Sequence, residues 1–182
     1  ADSAGVSANT RTMRVGYTVT TNISYIGIAT RTYMSDDFED GDLAGYTALG
    51  TCVNDTTTPI NGLRSARVVN PLSALKYVFA TTRASNVRIT FNYFNHAANA
   101  NEDLLFRYRV GAGVWTTIGT YAETTSGAAS LLLPAGANNQ AGVTIAWTNA
   151  GFDAGDYMNI DDLVVTAKYS NYSTNWVWNE TR

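Results

Sequence analysis

Apolar residues in this chain recur at every second position in short runs, and almost every run is closed by Gly, Asn, Asp or Pro. A period of two places alternate side chains on opposite faces of an extended backbone. No stretch holds the 3.6-residue period of an amphipathic helix, so a helical bundle is excluded. The alternation predicts strands near 45–50, 64–69, 74–81, 87–94, 103–110, 114–121, 128–133, 142–148 and 158–167. Turn signals separate them at Pro59-Ile60-Asn61-Gly62, Asn70-Pro71, Gly111-Ala112-Gly113, Ser126-Gly127 and Pro134-Ala135-Gly136. Many short strands at regular spacing predict an all-β fold, a two-sheet jelly-roll sandwich.

The longest alternation precedes that run. Met13, Val15, Tyr17, Val19, Ile23 and Tyr25 fall on odd positions, with Arg14, Thr18, Thr20, Asn22 and Ser24 between them. At Tyr25-Ile26 the phase flips, and Ile26 and Ile28 become the apolar positions. A flip of phase marks a bulge or a boundary between two strands. Two readings stay open for the segment from Thr12 to Tyr25. It is the first strand of the chain's own sheet, or it is donated to another copy of the chain as a missing strand. The organisation expected is an N-terminal extension over 1–33, a jelly-roll domain over 34–167 and an aromatic C-terminal extension over 168–182. In the last of these, Tyr172, Trp176 and Trp178 share one parity, as a further strand would have it.

Composition narrows the function. Hydrophobic residues make up 45% and charged residues 15%, which is the balance of a folded chain rather than a disordered one. The net charge of −3 gives no electrostatic case for nucleic acid. No apolar run is long enough for a membrane span, so membrane insertion is not expected. The start without Met, at Ala1-Asp2-Ser3, suits a processed chain that is secreted or held at the cell surface. Cys52 is alone, so no internal disulfide forms and no Cys-rich metal site exists. Glycosylation sequons begin at Asn22, Asn54, Asn171 and Asn179.

Two acidic motifs bracket the predicted domain: Asp36-Asp37-Phe38-Glu39-Asp40-Gly41-Asp42 and Asn159-Ile160-Asp161-Asp162-Leu163. First and last strands of a sandwich are often neighbours, so these carboxylates are expected to meet. Gathered carboxylates repel unless a hard cation neutralises them, and calcium takes oxygen ligands of this kind. The bland alternative is that the acids cap turns and solvate strand ends.

Residues 36–167 resemble extracellular jelly-roll modules such as MAM domains and similar microbial surface modules. The resemblance lies in Asp37-Phe38-Glu39-Asp40-Gly41 with Gly45-Tyr46, and in Arg88-Ile89-Thr90-Phe91-Asn92-Tyr93-Phe94. It continues through Trp115-Thr116-Thr117-Ile118-Gly119 and ends on Gly155-Asp156-Tyr157-Met158-Asn159-Ile160-Asp161-Asp162-Leu163. MAM cysteines are missing, and the Trp expected after the first Gly is Tyr46. The resemblance implies a cation held by Asp37, Glu39, Asp161 and Asp162. In organisation alone, the chain is similar to archaeal and bacterial donor-strand filament or cannula-type tubule subunits.

Catalysis has little support. His96 is the single histidine, no Gly-X-Ser-X-Gly elbow is present and Cys52 lacks an activating context. Trp115 and Trp147 lie in predicted strands and are expected in the core. Trp176, Trp178, Tyr169 and Tyr172 are candidates for packing on a neighbour or on sugar rings. The chain is therefore expected to be no enzyme. The first expectation is a secreted structural subunit that polymerises with copies of itself, with Met13, Val15, Tyr17, Val19, Ile23 and Tyr25 at the subunit interface and calcium as a stabilising ion. The alternative is a calcium-dependent carbohydrate-binding or adhesion module with glycans as partners.

Overall fold

The computed structural model describes the backbone of residues 16–97 and 99–181, with side chains over 28–97 and 99–170. The strands are β1 (Gly16–Asp36), β2 (Tyr46–Asp55), β3 (Ser65–Phe79), β4 (Ala84–Asn95), β5 (Asp103–Val110), β6 (Thr116–Tyr121), β7 (Ser126–Leu132), β8 (Val143–Ala150) and β9 (Tyr157–Thr181). A short 3-10 turn, Ala135–Ala137, sits between β7 and β8. The chain divides into a compact unit, Ala29–Tyr169, and a second unit formed by the chain ends outside it.

The strands hydrogen-bond in the order β6-β5-β8-β3-β9-β4-β7, with β2 added along β3 and β1 paired with β9. This path folds into the two layers of an all-β sandwich because β3 belongs to both. Its first half, Ala66 to Val69, pairs with β9, and its second half, Ala74 to Phe79, pairs with β8. The Asn70-Pro71 signal, read from sequence as a turn between two strands, is the bend between these halves. Asn70 and Leu72 both take left-handed backbone, at φ 68° and 63°, and Pro71 has no N–H to give to a ladder.

β2 bends with its partner. The register between β2 and β3 slips between Leu49 and Thr51, and Gly50 lies at the slip with φ 69°. A Cβ at Gly50 would lie 2.4 Å from Ser73 Oγ and 3.0 Å from Ser73 Cα. Only glycine fits, because the backbones approach closely and the conformation is left-handed. Thr51 N donates to Ser73 Oγ at 3.0 Å, which closes the bulge.

The core lies between the layers. β5 sends Leu104 and Phe106 inward, β8 sends Val143, Ile145 and Trp147, and β4 sends Val87, Ile89 and Phe91; all are buried. Phe91, Phe106 and Trp147 form a ring cluster with centroids 5.2 to 5.4 Å apart. Such aromatic contacts contribute about 0.5–1.5 kcal/mol beyond the area they bury.

At the two ends, single strands run across the boundaries drawn from sequence. β1 passes through the phase flip at Tyr25-Ile26 without a break. β9 likewise absorbs the segment 168–181, which the sequence set apart as an extension. Of the proposed subunit-interface residues, Met13 and Val15 lie outside the described residues. Tyr17, Val19, Ile23 and Tyr25 belong to β1, with only their backbone described.

Candidate functional site

The face of the β5–β8–β3 layer turned away from the core carries the strongest candidate. On β8, the period of two that buries Ile145 and Trp147 puts Thr144, Ala146 and Thr148 on the opposite face. Across the ladder, Ala146 stands opposite Lys76 of β3 on one side and Arg107 of β5 on the other. The small Ala146 side chain thus lies between two long cationic ones. Arg109 follows two residues along β5, opposite Thr144.

Of these residues, Lys76, Arg107 and Thr148 line a cleft of about 210 Å³ together with Leu49, Trp115 and Asn149, among others. Trp115 stands just before β6, half-buried. The Arg109 guanidinium carbon lies 4.7 Å from the centre of its ring, and this cation–π contact holds the indole in place. The expectation that Trp115 packs in the core is corrected. Gly111-Ala112-Gly113 and Val114 keep it outside the β6 ladder, so the burial that strand alternation would impose does not reach it. Trp147 does fill the core, with no exposed surface.

The polar groups at this cleft are incompletely used. Among the described residues, Nε of Arg107 and Oγ1 of Thr148, both of cleft-lining residues, and Nε of Arg109 beside Trp115 are buried without a hydrogen-bond partner. Buried polar atoms are normally paired, and unpaired ones gathered along a cleft fit donation to a ligand or to water. Leu49 and Leu72 add exposed apolar surface at the cleft, at 53% and 86% exposure. The signal legible in sequence was the pair Arg107-Tyr108-Arg109: two cations at strand spacing in a chain of low charge.

A second, wider groove of about 400 Å³ is lined by Thr30, Asn86, Arg88, Leu132, Thr166, Ala167 and Lys168. It offers no aromatic surface, and Arg88 already donates to Ser130 Oγ at 2.9 Å.

The acidic ends are joined through the turn 61–64. Glu39 Oε1 accepts the N–H groups of Leu63 and Arg64 at 2.7 and 3.0 Å. Asp161 Oδ2 accepts Asn61 N at 2.9 Å, and Asp162 Oδ2 accepts the side-chain amides of Asn61 and, at 2.8 Å, Asn92. Gly62 makes the turn possible, since a Cβ there would meet Glu39 Oε1 at 2.1 Å. Asp162 takes a φ of 48° at a bulge where β9 has one residue more than β4. Burial, then the charges of Asp162 and Glu39, push the Asp161 carboxyl up to about 6, against the pull of its two backbone donors. Asp37 is exposed and accepts Glu39 N at 3.2 Å.

Oxygen-only, anionic donors are the chemistry a hard cation needs. Among the described residues, however, no three Asp, Glu, His or Cys side chains gather closely enough to hold a metal ion. Glu39, Asp161 and Asp162 are satisfied instead by the N–H groups of the turn between them.

The other residues singled out in sequence have structural employment. His96 is exposed and stacks on Tyr157, centroids 4.4 Å apart. The Cys52 thiol is pushed up to about 11 by burial, which removes thiolate character at neutral pH. Tyr169 has Arg31 and Arg83 over its ring at 5.6 and 5.4 Å. The Asn54 side-chain amide donates to Phe38 O and accepts from Arg64, so the sequon there is tied into the fold. Trp176, Trp178 and Tyr172 have no described side chains.

No family model matches the sequence, and no curated protein matches it. Solved structures do. The CBM22-1 xylan-binding domain from Paenibacillus barcinonensis Xyn10C is similar with a TM-score of 0.60 at 16% identity, over 78% of this chain and 97% of that one. TmCBM61 in complex with β-1,4-galactotriose is similar with a TM-score of 0.54 at 14% identity, over 78% and 99%. The K3 cleaved adhesin domain of Lys-gingipain from Porphyromonas gingivalis W83 is similar with a TM-score of 0.56 at 16% identity, over 76% and 99%. At such identities the likeness shows the fold, an all-β jelly-roll sandwich of the kind found in carbohydrate-binding modules.

Proposed function

We propose that this chain is a non-catalytic carbohydrate-binding module of a secreted or surface protein, with the cleft beside Trp115 as its glycan site. The observation that carries the reading is the indole of Trp115, fixed by Arg109 at the edge of a cleft where, among the described residues, Arg107 Nε and Thr148 Oγ1 lack partners. Sugar recognition needs both halves of that arrangement. An aromatic face covers the C–H side of a pyranose, and fixed donors and acceptors read its hydroxyls. The volume is below the roughly 300–1,000 Å³ of pockets for drug-sized ligands and suits one sugar unit of a longer chain. Xylan and β-1,4-galactotriose are bound by two proteins of similar fold, which supports glycans as the ligand class.

The reading is tested by affinity electrophoresis or calorimetry against a panel of plant and microbial polysaccharides. Binding is expected, and Trp115→Ala abolishes it while leaving the fold intact. Failure to bind any glycan, or binding indifferent to Trp115, overturns the assignment.

The filament reading has less behind it. Strand donation needs a free N-terminal strand, whereas β1 is already paired with β9 of its own chain. A calcium ion at the acidic end is a separate proposal. It is supported by the gathering of Glu39, Asp161 and Asp162 around one turn, and it requires the turn 61–64 to release carboxylate oxygens to the ion.

A further inference from the structure

We propose that the cleft beside Trp115 takes an acidic sugar, a pyranose carrying a carboxylate or a sulfate; the proposal rests on the carbohydrate-binding reading above. The chain has twelve Lys and Arg and a net charge of −3, so a polyanion finds no general attraction to it. Yet Lys76, Arg107 and Arg109 share one face of the β3–β8–β5 layer, and among the described residues no carboxylate lines the cleft that Lys76 and Arg107 border. The chain has two lysines, and one of them stands here. Among the described residues, the ion pair present is Arg67 with Asp55, elsewhere in the fold. Among the described residues, Lys76 and Arg107 therefore have no carboxylate counter-charge.

A neutral sugar would not need this arrangement. Its hydroxyls are served equally by Asn, Gln or Ser, which carry no charge to desolvate. Three like charges on one face repel one another, and the cost is recovered when an anion enters between them. A guanidinium presents a planar fork that fits two oxygens of a carboxylate or sulfate, and an ammonium adds a point charge. Lys76 and Arg107, on either side of the small Ala146, leave room for that group between them. Trp115 then receives the ring of the same sugar.

The test is titration calorimetry of the whole chain with three sets of oligosaccharides: uronate oligomers (galacturonate, glucuronate and mannuronate), their carboxyl-reduced neutral counterparts, and sulfated oligomers. At least one acidic set should bind about tenfold or more tightly than the neutral one, as charge-assisted hydrogen bonds imply, and less tightly as salt rises. Arg107→Gln and Lys76→Met should each remove the preference. Arg88→Gln, in the other groove, should leave it intact. Two variants are used so that a folding defect in one, detected by its melting temperature, does not decide the matter. The uronate and sulfate arms distinguish which anion is read.

Equal affinity for acidic and neutral forms overturns the proposal. So does retention of the preference in both folded variants, or equal competition by a single-stranded oligonucleotide. If only neutral glycans bind, and do so through Trp115, this inference fails while the carbohydrate-binding reading stands. If no glycan binds, both fail.

Discussion

Asp55 of β2 receives the guanidinium of Arg67 of β3 at 2.5 Å, and the pair sits under a network that reaches β9. Asn159 donates its amide to Asp55, Thr58 and Ser65, while Arg67 donates Nε to Asn159 Oδ1 and lies 3.9 Å from the centre of the Tyr157 ring. Burial raises the Asp55 carboxyl, but backbone donors at Thr58 and Thr57 and the charge of Arg67 outweigh it. The net pKa is below the usual 3.8. A depressed folded pKa contributes stability that is present above the unfolded value and lost as pH falls through the folded one. Asp55→Asn should therefore lower the melting temperature at pH 7 and flatten the loss of stability below about pH 4. Removing the carboxylate charge should cost about 1–3 kcal/mol, since Arg67 keeps Asn159 and the Tyr157 ring. Thermal melts of both forms from pH 2 to 7 check this, and parallel curves would refute it.

Gly50→Ala should destabilise the chain through strain alone. The new methyl group meets Ser73 Oγ and Cα, and φ 69° is unfavourable for any side chain. A loss of more than about 1 kcal/mol is expected from denaturant unfolding, since an incompatible backbone costs more than glycine's own entropy. Adding Ser73→Gly should recover the part due to the hydroxyl and not the part due to φ. An unchanged midpoint for Gly50→Ala would mean that the bend of β2 is not built on this contact.

The two tryptophans should separate stability from binding. Trp147→Ala empties the centre of the Phe91–Phe106 cluster and should cost about 3–5 kcal/mol. Trp115→Ala removes a half-buried ring held by one guanidinium. It should cost about 0.5–1 kcal/mol for the lost cation–π contact, plus a modest amount of buried area, and should abolish glycan binding. Paired unfolding and binding measurements decide it. A Trp115 variant that unfolds as readily as the Trp147 variant would make Trp115 a core residue after all.

Calcium, if bound at the acidic end, should raise the melting temperature, adding about 1.4 kcal/mol of stability for each tenfold rise in concentration above its dissociation constant. Without an ion, Asp161 holds its proton more tightly folded than unfolded. Its contribution is therefore full below 3.8 and declines as pH rises through about 6. A bound cation needs the ionised carboxylates, so its stabilising effect should grow over that same range. Asp161→Asn should remove both effects. If chelator and calcium leave the melting temperature alike at pH 7.5, no ion joins the hydrogen bonds that hold these acids.

The all-β class and the positions of β4, β5, β7 and β8 were legible from the period of two, because strand alternation is a local property of the backbone. The junction in β3 was not. Asn70-Pro71 has the same local chemistry whether the chain reverses or only bends, and what decides is that Ala74 to Phe79 find β8 while Ala66 to Val69 find β9. The acidic ends were visible as motifs, but sequence could not show that Asn61 to Arg64 would stand between them as hydrogen-bond donors. Arg107 and Arg109 could be placed on one face of a strand from sequence alone. Only the tertiary structure set Lys76 across Ala146 from Arg107 and brought Trp115 to Arg109, because neighbours across a sheet are chosen by pairing between distant segments, and the sequence around each residue carries no record of its partner.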